Sequence, residues 1–259
     1  MSKNLKKKTI AITRPYNRID EAQELVESYG GEAFIVPTLE LKLKNTDSLK
    51  NLVELVSDLD WLIFTSPTSI ESIFKFYPDF REKLNPNCKI AAIGHKTEEV
   101  ANSYDLRIDL IPKDYTAEGL LKSFEKINVN NSIIGIPRTL AARDTLPEGL
   151  KKLGADVVLA ESYESIIPQD TSKIEILIAK ILKSEIDAIT FTSPLTAENL
   201  FKIATEERAS ELAKKLSTSV LSVAIGPITS KTLENLGVNP IYPKIYTVKD
   251  MMKLLFENL

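Results

Sequence analysis

The chain has 259 residues, 43% of them hydrophobic and 27% charged, and a formal net charge of −3. That length can bury two small domains or one large one, and the slight negative charge argues against a nucleic-acid binder held by a general phosphate-attracting field. A single cysteine, Cys88, and a single histidine, His95, exclude an internal disulfide and a histidine-based metal cluster.

The N-terminus, MSKNLKKKTIAITRP, opens on a basic cluster, Lys3–Lys8, expected to be a solvated tail, and runs straight into a short apolar strand. It lacks the apolar region and small-residue cleavage site of a secretory signal, and no apolar run reaches membrane-spanning length. A cytoplasmic protein with neither membrane nor nucleic-acid partner is expected.

Short β-branched runs then alternate with helical periods, as in parallel βαβ folds. Strands are predicted at Thr9–Thr13, Ala33–Val36, Trp61–Thr65, Ile90–Ile93, Ile108–Ile111, Ser132–Ile136, Val157–Ala160, Ala188–Thr192, Val220–Ile225 and Pro240–Tyr242. Between them, Arg18–Tyr29, Ser48–Leu59, Ala117–Lys126 and Ile174–Ser184 place apolar residues three and four apart, the period of a helix with one buried face. Trp61 reads as core.

The strongest signal is an internal repeat. Asp60–Pro67 (DWLIFTSP) matches Asp187–Pro194 (DAITFTSP), 127 residues on, and Ala92-Ile93-Gly94 with Thr97 matches Ala224-Ile225-Gly226 with Thr229. Tyr115-Thr116 and Tyr246-Thr247 each precede a helical period, and Thr9–Gly31 matches Ile133–Gly154 with Arg14 opposite Arg138. The order is therefore A, B, A′, B′. Thr38–Leu43 and Ser162–Ile167 alternate polar and apolar residues, as extended crossovers would. This favours a discontinuous terminal lobe of residues 1–38 plus 165–259 and a middle lobe of residues 39–164.

In open parallel sheets ligands bind beyond the carboxyl ends of the strands. The repeated Thr-Ser-Pro turns at Ser66 and Ser193 read as strand end, N-cap and Pro at the first helical position; the turns at Gly94–Thr97 and Gly226–Thr229 read as strand end and helix start. Such helix starts offer N–H groups to carboxylates or phosphates, although each Ser or Thr taken alone reads more simply as a cap. Arg14 and Arg138 stand at equivalent strand ends, within reach of an anionic ligand. Arg143, beside Asp144, reads equally as a ligand contact or a local ion pair. Tyr163 lies in the second crossover and could face a cleft between lobes, or simply pack. There is no G-x-G-x-x-G, no G-x-x-x-x-G-K-[ST] and no G-x-S-x-G; Gly94-His95-Lys96-Thr97 resembles the tail of a phosphate loop but lacks its first glycine.

Taken together, Thr13-Arg14-Pro15, the two Phe-Thr-Ser-Pro turns, Gly226-Pro227-Ile228-Thr229, Ile136-Pro137-Arg138 with Arg143, and Tyr163-Glu164-Ser165 resemble the uroporphyrinogen-III synthase family in order and spacing along nearly the whole chain. The resemblance implies two Rossmann-like or flavodoxin-like α/β lobes with parallel sheets, internally duplicated and joined by a two-stranded linker. It implies a cofactor-independent hydro-lyase, working as a monomer, that closes linear hydroxymethylbilane to uroporphyrinogen III with loss of water and inversion of ring D in the cleft between the lobes, through a spiro intermediate. Tyr163 then matches the tyrosine that assists departure of the hydroxyl. Thr13, Arg14, Ser66, Thr97, Arg138, Arg143, Ser165, Ser193, Gly226, Ile228 and Thr229 become the substrate contacts. The rival readings are a cytosolic two-lobed anion sensor without catalysis and a nucleotide-dependent enzyme.

Overall fold

The structure, a computed structural model, describes residues 8–259. Residues 3–7 of the basic cluster lie outside them. The strands are β1 (Thr9–Ile12), β2 (Glu32–Ile35), β3 (Glu40–Leu43), β4 (Trp61–Phe64), β5 (Lys89–Ala92), β6 (Ile133–Arg138), β7 (Asp156–Glu161), β8 (Tyr163–Ile166), β9 (Ala188–Phe191) and β10 (Leu221–Ala224). The helices are α1 (Asp20–Ser28), α2 (Asp47–Glu54), α3 (Pro67–Phe76), α4 (Phe80–Lys83), α5 (His95–Ser103), α6 (Ala117–Phe124), α7 (Thr145–Lys152), α8 (Ser172–Leu182), α9 (Pro194–Ile203), α10 (Glu206–Thr218), α11 (Pro227–Asn235) and α12 (Val248–Asn258). The chain divides into two compact units. One takes the chain through Glu40 and again from Ile166 to Leu259; the other runs Leu41–Ser165.

The first unit is built on a parallel four-stranded sheet of order β10-β9-β1-β2, with Ile12 opposite both Ile35 and Thr190. Residues Ala188–Phe191 of central β9 are all buried, as a strand covered on both faces must be. On one face Ala11, Ile189 and Phe191 pack with Leu177, Leu200, Leu212 and Leu233 of α8 to α11. On the other, Ile10, Ile12 and Val223 meet Ala22 and Val26 of α1 and Met251, Met252 and Leu255 of α12.

The second unit repeats the plan with a parallel sheet of order β5-β4-β6-β7. Leu62, Phe64 and Ile90 face α2 and α3 through Leu49, Leu52, Ile70 and Ile73, while Trp61, Ile63, Ile134 and Ile136 face Leu120, Phe124, Leu146 and Leu150 of α6 and α7. The crossover segments pair as the two-stranded sheet β3-β8. There Lys44 Nζ donates to Glu161 at 2.9 Å and to Glu164 at 3.3 Å, and the hydrogen bond to Glu161 leads in raising the lysine pKa.

The repeat explains how each sheet keeps its register. Asp187 Oδ2 accepts from Thr9 N at 2.8 Å, and its repeat partner Asp60 accepts from Ile133 N at 2.8 Å. Each aspartate, just before a B-type strand, thus anchors the first N–H of an A-type strand far away in sequence: B with A′, and B′ with A. Lys8 also reaches Asp187, at 2.7 Å, so this last lysine of the cluster is tied to the sheet rather than free in solvent.

Two predicted strands are corrected. Ile108–Ile111 and Pro240–Tyr242 are not strands; each touches its sheet at one bridge, Leu110 against Ala91 and Ile241 against Val223. Pro112 follows the first, and Pro240 and Pro243 bracket the second, so a longer ladder would lose donors at the sheet edge. The helix expected over Ser48–Leu59 ends at Glu54 and gives way to turn.

Candidate active site

Beyond the carboxyl ends of each sheet, the same set of turns recurs. Ser66 caps α3, accepting from Thr68 N at 3.3 Å, and Pro67 follows in the first turn. Ser193 caps α9 in a reciprocal box: its Oγ accepts from Thr196 N at 3.3 Å while Thr196 Oγ1 accepts from Ser193 N at 3.4 Å. The plain capping role therefore holds for both serines.

The glycine turns are different. Among the described residues neither Gly94, before α5, nor Gly226, before α11, is accompanied by a side-chain cap. Each carries instead a tyrosine ring from the repeated Tyr-Thr pair. A Cβ on Gly94 would lie 3.7 Å from the ring of Tyr115, and one on Gly226 would lie 3.2 Å from the ring of Tyr246. Both tyrosines are exposed, as are Tyr16, Ile228 and Ile245 in the first unit and Leu140 in the second. Each carboxyl edge thus combines helix starts, where the dipole favours anions, with exposed apolar or aromatic side chains. The following threonines, Thr116 and Thr247, cap α6 and α12.

The two glycines are needed for different reasons, and that is testable. Gly94 has φ +89°, in the left-handed region, whereas Gly226 is extended at φ −176°. Gly94→Ala should lose about 1–2 kcal/mol of stability from backbone strain. Gly226→Ala should lose less, because a small shift of the exposed Tyr246 ring relieves its only tight approach. Melting curves of the two variants check this; the reverse order would contradict it.

The remaining expected site residues fall into distinct environments. Thr13 is fully buried and its hydroxyl donates to Thr190 O at 2.7 Å. Thr97 is buried and donates to Ile93 O at 3.1 Å; Thr229 is buried, and Ile228 beside it is among the most exposed apolar side chains. Tyr163 opens β8 at 8% exposure, with Ser165 half-buried two residues on.

The arginines diverge most. Arg138 is only 5% exposed, and its guanidinium donates to Thr139 O and Arg143 O, each at 3.1 Å, to Ala142 O, and to Asp144 Oδ1 at 3.0 Å. It is enclosed by its own following loop rather than open to a ligand. Arg143 is exposed and pairs with Glu118, not with the adjacent Asp144; both contacts, at 2.8 and 3.2 Å, help hold the Glu118 pKa below its ordinary value. Arg14 is half-buried, and its Nε and Nη1 are buried without a hydrogen-bond partner among the described residues.

His95 sits edge-on to Tyr115 at 5.3 Å and shares a 2.9 Å contact with Glu98. Burial, with added repulsion from Asp60 and Asp109, pushes the Cys88 thiol up to about 12, which leaves it a poor nucleophile. Among the described residues no group of three His, Cys, Asp or Glu side chains could hold a metal ion, and no helix is long and apolar enough to cross a membrane. Sequence reasoning noted the Tyr115 and Tyr246 repeat without giving either residue a place at the edge. The duplicated glycine upstream of each was the available signal.

The family profile described as uroporphyrinogen-III synthase HemD matches residues 20–253. A protein of Methanothermobacter thermautotrophicus named "Putative uroporphyrinogen-III synthase" is 46% identical over 246 residues, covering 95% of this chain and 96% of that one. The uroporphyrinogen-III synthase of Chlorobaculum parvum is 26% identical over 259 residues, covering 97% and 99%. A mutant uroporphyrinogen III synthase from the extremely thermophilic bacterium Thermus thermophilus superposes with a TM-score of 0.65 at 19% identity, covering 97% of each chain, which shows a shared fold. With the family profile spanning nearly the whole length and a relative this similar from end to end, the chain belongs to the uroporphyrinogen-III synthase family.

Proposed function

We propose that this protein closes linear hydroxymethylbilane to uroporphyrinogen III. The hydroxyl leaves as water, and the last pyrrole ring is inverted through a spiro intermediate before the macrocycle closes. The observation that carries this reading is the duplicated carboxyl edge: helix starts at Ser66, Gly94, Ser193 and Gly226, together with exposed apolar side chains. An apolar ring system bearing eight carboxylates calls for that combination. Charge-assisted hydrogen bonds of about 1.5–3 kcal/mol each hold such a substrate without a basic protein, provided several form together.

The bilane is already reactive, so fixing its conformation matters more than a strong acid or base. In this reading the N–H groups of the Gly226-Pro227-Ile228-Thr229 and Gly94–Thr97 turns and the Ser66 and Ser193 turns grip carboxylates, Ser165 borders them, the buried Thr13 braces the strand end beneath, and the Tyr163 phenol donates a hydrogen bond to the departing hydroxyl. The terminal lobe (residues 1–38 plus 165–259) and the middle lobe (residues 39–164) each supply one of these edges. The protein works as a monomer in the cytoplasm and needs no cofactor. Family membership disfavours the sensor without catalysis.

Turnover by pure protein treated with chelator, with no cofactor added, tests the cofactor-independent part of the reading. Undiminished conversion of hydroxymethylbilane is expected. Activity that is lost on chelation and restored by a metal or nucleotide would contradict it.

A further inference from the structure

The duplication presents Arg14 and Arg138 as equivalent residues, and the fold gives them opposite surroundings. Four N–H donors of Arg138 are engaged by residues 139–144. Arg14 has no such loop, because Pro15 and the short 3-10 turn Tyr16–Arg18 carry the chain directly into α1. Its Nε and Nη1 are buried with no partner among the described residues. Burying guanidinium N–H groups unpaired is destabilising unless something outside the chain completes them.

The frame around Arg14 is rigid. Thr13 donates to Thr190 O, Thr38 N donates to Thr13 O at 3.1 Å, Thr38 Oγ1 donates to Thr196 O at 2.8 Å, and Asn199 Nδ2 donates to Thr38 O at 2.8 Å. These buried bonds fix the ends of β1 and β2 and the start of α9, so Arg14 projects from a backbone that cannot collapse to satisfy it. Burial holds its pKa below the ordinary value; the attraction of Glu21 only partly offsets this and the nearby Arg18 adds to it, so an arriving anion would relieve the strain.

We propose that the two copies of the repeat have divided their work: Arg14 is the carboxylate receptor of the first unit, whereas Arg138 organises the loop before α7 and touches no substrate. That the anion is a carboxylate of hydroxymethylbilane rests on the function proposed above; that Arg14 receives an anion does not.

The test compares Arg14→Gln, Arg14→Lys and Arg138→Gln with the unaltered protein. Arg14→Gln should raise KM for hydroxymethylbilane roughly 10- to 100-fold, change kcat much less, and leave the melting temperature equal or higher. Arg14→Lys should recover part of the KM. Arg138→Gln should lower the melting temperature instead. An Arg14→Gln protein with unaltered KM and full type III activity would overturn the inference while leaving the proposed function standing. Should the unaltered protein not turn over the bilane, inorganic phosphate decides: it should raise the melting temperature of the unaltered protein and not of Arg14→Gln, and an equal rise in both would overturn the inference.

Discussion

Arg138→Ala should lower the melting temperature of the unit spanning Leu41–Ser165 by about 10 °C, the largest stability effect expected of any expected site residue. The guanidinium is 5% exposed and holds three carbonyls and one carboxylate of its own loop. Alanine removes all four bonds and leaves the carbonyls of Thr139, Ala142 and Arg143 without these donors. Hydrogen bonds to a charged partner are worth about 1.5–3 kcal/mol each, and loop relaxation with water entry recovers part of that, so a net loss of about 3 kcal/mol follows. For a unit of this size each kcal/mol shifts the transition by about 3–4 °C. Thermal denaturation followed by circular dichroism measures it. Arg143→Ala, which breaks only an exposed pair with Glu118, should change little. A shift for Arg138→Ala as small as that of Arg143→Ala would show that the cage contributes nothing.

Tyr163→Phe should lower kcat roughly 10- to 100-fold with the melting temperature unchanged and the product still type III. Phenylalanine keeps the ring that β8 buries and removes only the hydroxyl donor. A positioned proton donor typically contributes at least this factor, while the hold on the substrate carboxylates, which contributes much of the acceleration, survives. Full turnover in the Phe variant would make Tyr163 a packing residue.

Much of the architecture was legible because the duplication repeats whole motifs. Asp60 and Asp187, the two Phe-Thr-Ser-Pro turns and the Tyr-Thr pairs announce two βαβ-built halves. The pairing of B with A′ follows from hydrogen bonds between residues more than seventy positions apart, such as Asp60 with Ile133, which no local pattern encodes. Ile108–Ile111 and Pro240–Tyr242 read as strands because β-branched and apolar residues cluster there, yet the neighbouring prolines leave only single bridges.

The candidate site was less legible. Arg14 and Arg138 align in sequence, and only the path of residues 139–144 separates an enclosed guanidinium from one whose Nε and Nη1 have no partner among the described residues. Likewise, Gly94 and Gly226 look like the same turn, but only Gly94 has a positive φ; at Gly226 the approach of the Tyr246 ring is the constraint.

The most direct test of the central claim is to incubate the pure protein with hydroxymethylbilane and resolve the type I and type III isomers of the product. The account predicts that type III dominates and that its share grows with protein concentration. Type I product in the same proportion with and without the protein would contradict it.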